Sequence, residues 1–276
     1  MQTSKDPTTS SNPTSLRQSS TEASTGPCTF ESRVEERDIQ PSLILVGTVH
    51  LQWEARSELS RLLHLLKPAA VTVEISPFSV AYRGQHEARW IALLEDHRRL
   101  LPKEQRNHPR VQLLERQIRL PFEWAEALAF GKRRGIPVVP VDTGELARKE
   151  LPRWEDDLLS KANLLSQTAC EAEPVELHIE RRHAEAKRIL SEPWNGPQAH
   201  HPLRWLGERE WEKRERLLAQ RVRRIHRIKR PLVHIGGWMH MVIGSPWLTL
   251  ADRLCDLSPM RILLSPVDSA WMTHST

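Results

Sequence analysis

The chain is poor in cysteine, and the three that it has do not form a scaffold. Cys28, Cys170 and Cys255 are spread over 276 residues, without a Cys-x-x-Cys pair or a neighbouring cysteine and histidine, so a disulfide framework and a zinc finger are not expected. No apolar run approaches the roughly 20 residues of a membrane-spanning helix, and the first residues lack the apolar core of a secretory signal. These absences predict a cytoplasmic protein without a membrane partner.

Two common catalytic signatures are also absent. The chain has no Gly-x-x-x-x-Gly-Lys-Ser/Thr sequence to cradle phosphates. Ser76 follows an apolar run, but it does not lie in a Gly-x-Ser-x-Gly elbow. A P-loop enzyme and a serine hydrolase of the elbow type are therefore not expected.

Positive charge is concentrated in one segment. Residues 204–230 contain eleven Lys and Arg and four Glu, an excess of seven, whereas the whole chain has a net charge of +5. An excess of this kind favours anionic partners. Because the basic residues alternate with glutamates and no stacking aromatic rings interleave with them, binding of nucleic acid is not expected.

The order of apolar runs predicts an α/β fold. Residues 1–40 have the composition of a disordered tail, and residues 41–276 form one domain with a helical insertion at about 144–203. Short apolar runs typical of buried strands lie at 43–48, 71–75, 136–141, 232–237 and 261–264. Leu59, Leu62, Leu63 and Leu66 predict a helix that ends at Lys67-Pro68. We expect a layered α/β fold around a central mixed sheet.

Two of these strands end in the same short pattern. The first is followed by Gly47-Thr48-Val49-His50 and the fourth by Gly237-Trp238-Met239-His240. Glycine lets the chain turn tightly where a strand leaves the sheet, and open α/β sheets bind ligands in the crevice beyond their strand ends. His50 and His240 are therefore candidate site residues. The alternative is that each imidazole only caps a loop.

Acidic residues at two other strand ends are further candidates. Glu74 lies within the apolar run Val-Thr-Val-Glu-Ile, on the opposite side from Val73 and Ile75. A carboxylate in an enclosed strand needs an ionic or metal partner, although an edge strand would leave Glu74 in water. Asp142 ends the third strand, where Asp before Thr-Gly is also ordinary turn chemistry.

The basic segment predicts a long helix with acidic residues on its apolar stripe. Trp211, Leu218 and Val222 recur at helical spacing, and Glu208 and Glu215 fall in phase with them. A salt-bridged surface helix is the alternative, favoured for Glu208 more than for Glu215.

Taken together, these motifs resemble the TraB/PrgY/GumN superfamily, which is related to the TIKI proteases and more distantly to the erythromycin-esterase and ChaN-like folds. The resemblance rests on GTVHLQ, VTVEISPFSVAYR, PVVPVDTG, KRERLLAQRV and VHIGGWMH, in that order from about Leu43 to about Leu264. It implies two related halves that each contribute one Gly-x-x-H histidine. The chain departs from the family where bulky Trp238 and Met239 precede the second histidine.

The resemblance also implies roles for individual residues. His50 and His240 match the motif histidines, Glu74 the strand-end acid, Arg83 the arginine beyond it, and Asp142 the acid after the third strand. Arg214-Glu215 is the preferred match for the arginine–acid pair on the penultimate helix, and Glu208-Arg209 is the other possibility.

The implied chemistry is metal-dependent hydrolysis of a peptide or small-molecule substrate. His50, His240 and Glu74 would hold Zn, Mn or Co, with Glu215 or Asp142 as a general base and Arg83 or Arg214 binding an oxyanion or a carboxylate. The alternative is a ligand- or peptide-binding regulatory protein on the same fold, with Trp238 and Met239 filling the site.

Overall fold

The sheet of this protein has five strands close to the predicted positions. A computed structural model describes residues 41–191 and 207–265, so the predicted tail (1–40) and part of the predicted insertion (192–203) lie outside the described residues. The strands are β1 (Leu43–Thr48), β2 (Ala70–Val73), β3 (Val138–Pro140), β4 (Leu232–Gly237) and β5 (Met260–Leu263).

All strands of this sheet run in the same direction. Their order is β3-β2-β4-β1-β5, and each of the four pairings is parallel. The expectation of a mixed sheet is therefore wrong. Every connection between consecutive strands contains a helix, and such a crossover brings the chain back to the edge where the previous strand began.

In the part of the chain that the structure describes, each of the four connections contains at least one α-helix. The helices are α1 (Arg56–Leu66), α2 (Pro77–Leu100), α3 (Pro109–Ile118), α4 (Phe122–Arg134), α5 (Glu145–Glu150), α6 (Lys161–Thr168), α7 (Val175–Ser191), α8 (Glu208–His226) and α9 (Leu250–Arg253). None of the helices in the described ranges combines the length and the apolar character needed to cross a membrane.

Two apolar cores cover the two faces of the sheet. Along β1, Ile44 and Val46 face a core that includes residues of α1 and α4, whereas Leu43 and Leu45 face a core that includes residues of α8 and α9. Helices α1 and α4, from the connections after β1 and β2, thus pack on one face, and α8 and α9, from the connections after β3 and β4, pack on the other. The connection that leaves β4 therefore goes to the opposite face of the sheet from the connections that leave its neighbours β1 and β2. Open α/β sheets bind ligands beyond the strand ends at which connections part in this way.

The helical part outside the sheet layers is larger than predicted. A third apolar cluster includes Trp90 of α2, Leu114 of α3 and Leu164 of α6, together with Leu151 and Trp154. The predicted helical insertion lay only between β3 and β4. This cluster also contains α2 and α3, which lie between β2 and β3.

Candidate functional site

Glu74 is the centre of a buried network at the carboxyl edge of the sheet. Glu74 directly follows β2, which ends at Val73. Helix α2 then begins at Pro77, with Ser76 as its N-cap. The side chain of Glu74 points to the face of α8, as the alternation along β2 predicts. Glu74 Oε1 contacts Arg214 and lies 2.8 Å from His240 Nε2, and Glu74 Oε2 accepts the backbone N–H of Gly237 at 2.7 Å. The interpretation of Glu74 as a solvated edge residue is therefore wrong.

His240 lies between two carboxylates. A short 3-10 helix, Trp238–Met241, directly follows β4 and turns the imidazole towards α8. Nδ1 lies 2.5 Å from Glu215 Oε1 and Nε2 faces Glu74. The indole of Trp211 stacks on the ring, with centroids 5.0 Å apart and planes at 10°. Burial opposes protonation, but Glu215 and Glu74 together raise the pKa of His240 to about 10.

One face of α8 supplies three residues to this network. Trp211, Arg214 and Glu215 are three and four positions apart, so they share a side of the helix. Glu215 is completely buried, and its Oε2 accepts the N–H of Leu250 at 2.6 Å. Glu208, in contrast, is exposed. The Arg214-Glu215 pair is thus the one that reaches the site, and the Glu208-Arg209 alternative is wrong.

Asp142 holds Arg214 in place. Arg214 Nε donates to Asp142 Oδ1 at 3.0 Å and Nη2 donates to Oδ2 at 3.2 Å, while the N–H of Thr143 also donates to Oδ1 at 2.7 Å. Asp142 and Glu215 are thus occupied in orienting Arg214 and His240, respectively. Burial would raise the pKa of Glu74, but His240 and Arg214 hold it well below its usual range, so Glu74 is ionised.

His50 reaches the same edge from β1 and has its own carboxylate. Its Nδ1 lies 3.4 Å from Oε1 of the buried Glu123 of α4, which also accepts the hydroxyl of Thr48 at 2.9 Å. The ring stands over the end of β4: a Cβ on Gly237 would lie 2.8 Å from His50 Nε2 and 3.6 Å from Glu74 Oε2. Desolvation lowers the pKa of His50, but Glu123 and Glu74 raise it overall.

Arg83 does not join this network. Its guanidinium donates to the carbonyl oxygens of Gln117 and Arg119, at 2.7 and 3.1 Å, and stacks over Trp154 at 4.6 Å. Burial lowers its pKa to about 10, against the effect of Glu87. The prediction of Arg83 in the site fails because α2 carries this side chain towards the loop after α3.

Trp238 does not fill the site either. It is buried in the apolar core on the α8 face, and Met239 packs against the same core. The second Gly-x-x-H motif accommodates these bulky residues by turning them into the protein interior.

The donor chemistry at this edge fits a divalent ion. Each Gly-x-x-H histidine has Nδ1 against a buried glutamate, Glu123 or Glu215, as metal-binding imidazoles usually do. Two imidazoles and one carboxylate are a common catalytic zinc set. Within residues 41–191 and 207–265, however, no three His, Cys, Asp or Glu side chains already surround one point as ligands.

Sequence reasoning missed Glu123 and His234. Glu123, Ala127 and Phe130 are spaced by four and three residues on the buried side of α4, so helical periodicity could have identified this acid. His234, in the middle of β4, is also buried. Desolvation lowers its pKa to about 4, against Glu74, so its ring is neutral at pH 7.

Comparison of the chain with protein-family models, with curated proteins and with solved structures gives no match. The functional argument therefore rests on the geometry of the site and on the motifs of the sequence.

Proposed function

We propose that this protein is a metal-dependent hydrolase of peptide or ester bonds, with His50, His240 and Glu74 as the residues that hold a divalent ion. The observation that carries the proposal is the matched support of the two histidines. Both imidazoles follow neighbouring parallel strands, and both have Nδ1 against a buried carboxylate from a helix. This support fixes the orientation of both rings. A bound ion would take the place of the proton between His240 Nε2 and Glu74 Oε1.

A bound Zn, Mn or Co ion would lower the pKa of a coordinated water and so supply hydroxide near neutral pH. The other residues of the network bind and orient. Glu123 orients His50, Glu215 and the stacked Trp211 orient His240, and Gly237 holds Glu74 through its N–H.

Arg214 has the donors to bind the substrate. Its Nε and Nη2 contact Asp142 and Glu74, whereas Nη1 has no hydrogen bond to any part of the chain that the structure describes. We assign to Nη1 the binding of the substrate carbonyl oxygen, on which negative charge develops during hydrolysis. This assignment keeps the sequence-based role of Arg214 and removes that of Arg83.

Metal content is the first test. Purified protein, exchanged into metal-free buffer, is expected to retain about one divalent ion per chain, and His50→Ala and His240→Ala are expected to lose it. His64→Ala is the matched control, because His64 is exposed on α1. A wild-type chain that binds no Zn, Mn or Co after reloading would contradict the metal assignment.

Turnover is the second test. Glu74→Gln is expected to abolish hydrolysis in a screen of peptide and ester substrates, because the amide replaces the charge that Arg214 and His240 contact. If the protein binds a ligand but shows no turnover that depends on His50, the alternative of a regulatory binding protein is favoured instead.

A further inference from the structure

A pair of buried polar residues lies directly beneath Glu74. Thr72 and His234 are register partners in β2 and β4, and both are almost completely buried. Their side chains share the face of the sheet that α8 covers, among leucines such as Leu45 and Leu218. Thr72 Oγ1 and His234 Nδ1 are 3.0 Å apart. Polar groups in such a setting cost stability unless they are fully hydrogen-bonded.

The proton positions in this pair follow from the acceptors available. The hydroxyl of Thr72 has two possible acceptors, His234 Nδ1 at 3.0 Å and the carbonyl oxygen of Val233 at 3.5 Å. The contact with Nδ1 is the shorter of the two, and the arrangement that uses it has the hydroxyl as donor and Nδ1 as acceptor. The neutral imidazole then carries its proton on Nε2. This N–H has no partner among the described residues.

The imidazole of His234 and the carboxylate of Glu74 both lie close to Gly236. A Cβ on Gly236 would lie 3.1 Å from His234 Nε2 and 2.7 Å from Glu74 Oε2. The two atoms are thus less than about 6 Å apart, yet they make no direct hydrogen bond. Two hydrogen bonds that meet at one oxygen atom can span a distance of up to about 6 Å.

Glu74 has one acceptor position left for such a bond. An ionised carboxylate offers about four lone-pair sites. Arg214 and His240 take two on Oε1, and the N–H of Gly237 takes one on Oε2. The remaining lone-pair site is on Oε2, which is the carboxylate oxygen close to His234.

We propose that one internal water molecule bridges His234 Nε2 and Glu74 Oε2, which makes Thr72 and His234 positioning residues for Glu74. The hydrogen bonds then run in one direction, from the Thr72 hydroxyl to Nδ1, from Nε2–H to the water, and from the water to the carboxylate. The role in metal binding rests on the proposed function, whereas the water itself does not.

The test combines a high-resolution crystal structure of the full chain with Zn²⁺ affinities. In the wild type we expect an ordered water within hydrogen-bond distance of both His234 Nε2 and Glu74 Oε2. We expect His234→Phe to remove that water and to weaken Zn²⁺ binding about tenfold or more, as loss of an outer-shell partner does. Thr72→Val removes the hydroxyl that orients the ring and is expected to weaken binding in the same direction.

His226→Phe is the matched control. His226 is equally buried, with Nε2 3.1 Å from the hydroxyl of Ser42 and Nδ1 without a partner in the described part of the chain, but it lies at the opposite edge of the sheet. This variant should retain wild-type Zn²⁺ affinity.

A wild-type crystal structure without a water at this position would overturn the proposal, as would unchanged Zn²⁺ affinity in both His234→Phe and Thr72→Val. If the wild type binds no Zn²⁺, the metal assignment fails, and the electron density between His234 and Glu74 still decides this inference.

Discussion

Two glutamates of α8 show how one residue can become part of a site while its counterpart does not. Glu208 and Glu215 are seven positions apart and fall on the same stripe in sequence. Glu215 is enclosed between His240 and the N–H of Leu250, whereas Glu208 is in the exposed first turn. The difference is that Glu215 lies against the segment after β4, whereas Glu208 is exposed to solvent.

Replacing these two glutamates should give very different results. Glu215→Ala leaves the His240 imidazole with an unpaired side and leaves the N–H of Leu250 without an acceptor, so we expect a loss of about 3–5 kcal/mol in unfolding free energy. Glu208→Ala should change it by less than about 0.5 kcal/mol. Urea unfolding of both variants measures this, and equal losses would show that Glu215 is not the buried partner.

The pKa of His234 makes a contribution to stability that depends on pH. Its folded value of about 4 lies below the ordinary 6.5, so between these values the unfolded chain binds a proton that the folded chain does not. The contribution is therefore complete above pH 6.5 and is lost as the pH falls towards 4, by roughly 3 kcal/mol in total. His234→Phe should show a flatter dependence of unfolding free energy on pH over this range. Parallel curves for variant and wild type would exclude this contribution.

At the scale of elements, α1 follows its sequence pattern closely. The four predicted leucines are the buried ones, and the helix ends at Leu66. Lys67 terminates it in the left-handed conformation, with φ at +44°, and its N–H bonds to the carbonyl oxygen of Leu63. Pro68 then prevents continuation. This conformation strains any residue with a Cβ.

Glycine at position 67 should therefore stabilise the protein. Lys67→Gly removes the strain, and because the lysine side chain is exposed, little packing is lost. We expect a gain of about 1 kcal/mol in unfolding free energy. Lys67→Ala keeps the Cβ and should give no such gain. Equal stabilities of the two variants in urea unfolding would contradict the backbone argument.

The basic helix α8 uses several of its positive charges within the protein. Lys213 pairs with Glu145 and Arg223 with Asp256, while Arg221 donates to the carbonyl oxygens of Val141 and Asp142. These contacts fasten α8 to the loop after β3 and to the segment after α9. Much of the local charge thus supports the fold around the site.

At the scale of the whole molecule, β1 and β4 carry the architecture. They pair along their full length in the middle of the sheet, and each side of β1 faces a different core. Replacing a residue on either face should therefore be costly, whereas the edge strand β5 should tolerate change.

Alanine substitutions test this arrangement. Ile44→Ala and Leu45→Ala remove completely buried side chains from opposite cores, and each should reduce the unfolding free energy by about 3 kcal/mol. Met260→Ala in β5, where the side chain is exposed, should change it by less than about 1 kcal/mol. A small effect at Ile44 or Leu45 would mean that β1 does not separate two cores.

The sequence by itself determined the elements and the strand ends that carry His50, Glu74, Asp142 and His240. Hydrophobic periodicity, prolines and glycines act over a few neighbouring residues, so they are readable along the chain. The same local rules identified α8 and the orientation of Glu74.

Only the tertiary structure decided which side chains meet. Residues such as Glu74 and Arg214, 140 positions apart, come together because the order of the strands and the faces chosen by the crossovers place them there. The spacing of residues along the sequence indicates neither the order of the strands nor the face on which each crossover packs. For the same reason, Arg83, close to Glu74 in sequence, points away, and Glu123 and His234 enter the site although no motif marks them. Burial then sets the pKa values, because desolvation and charged partners act through space.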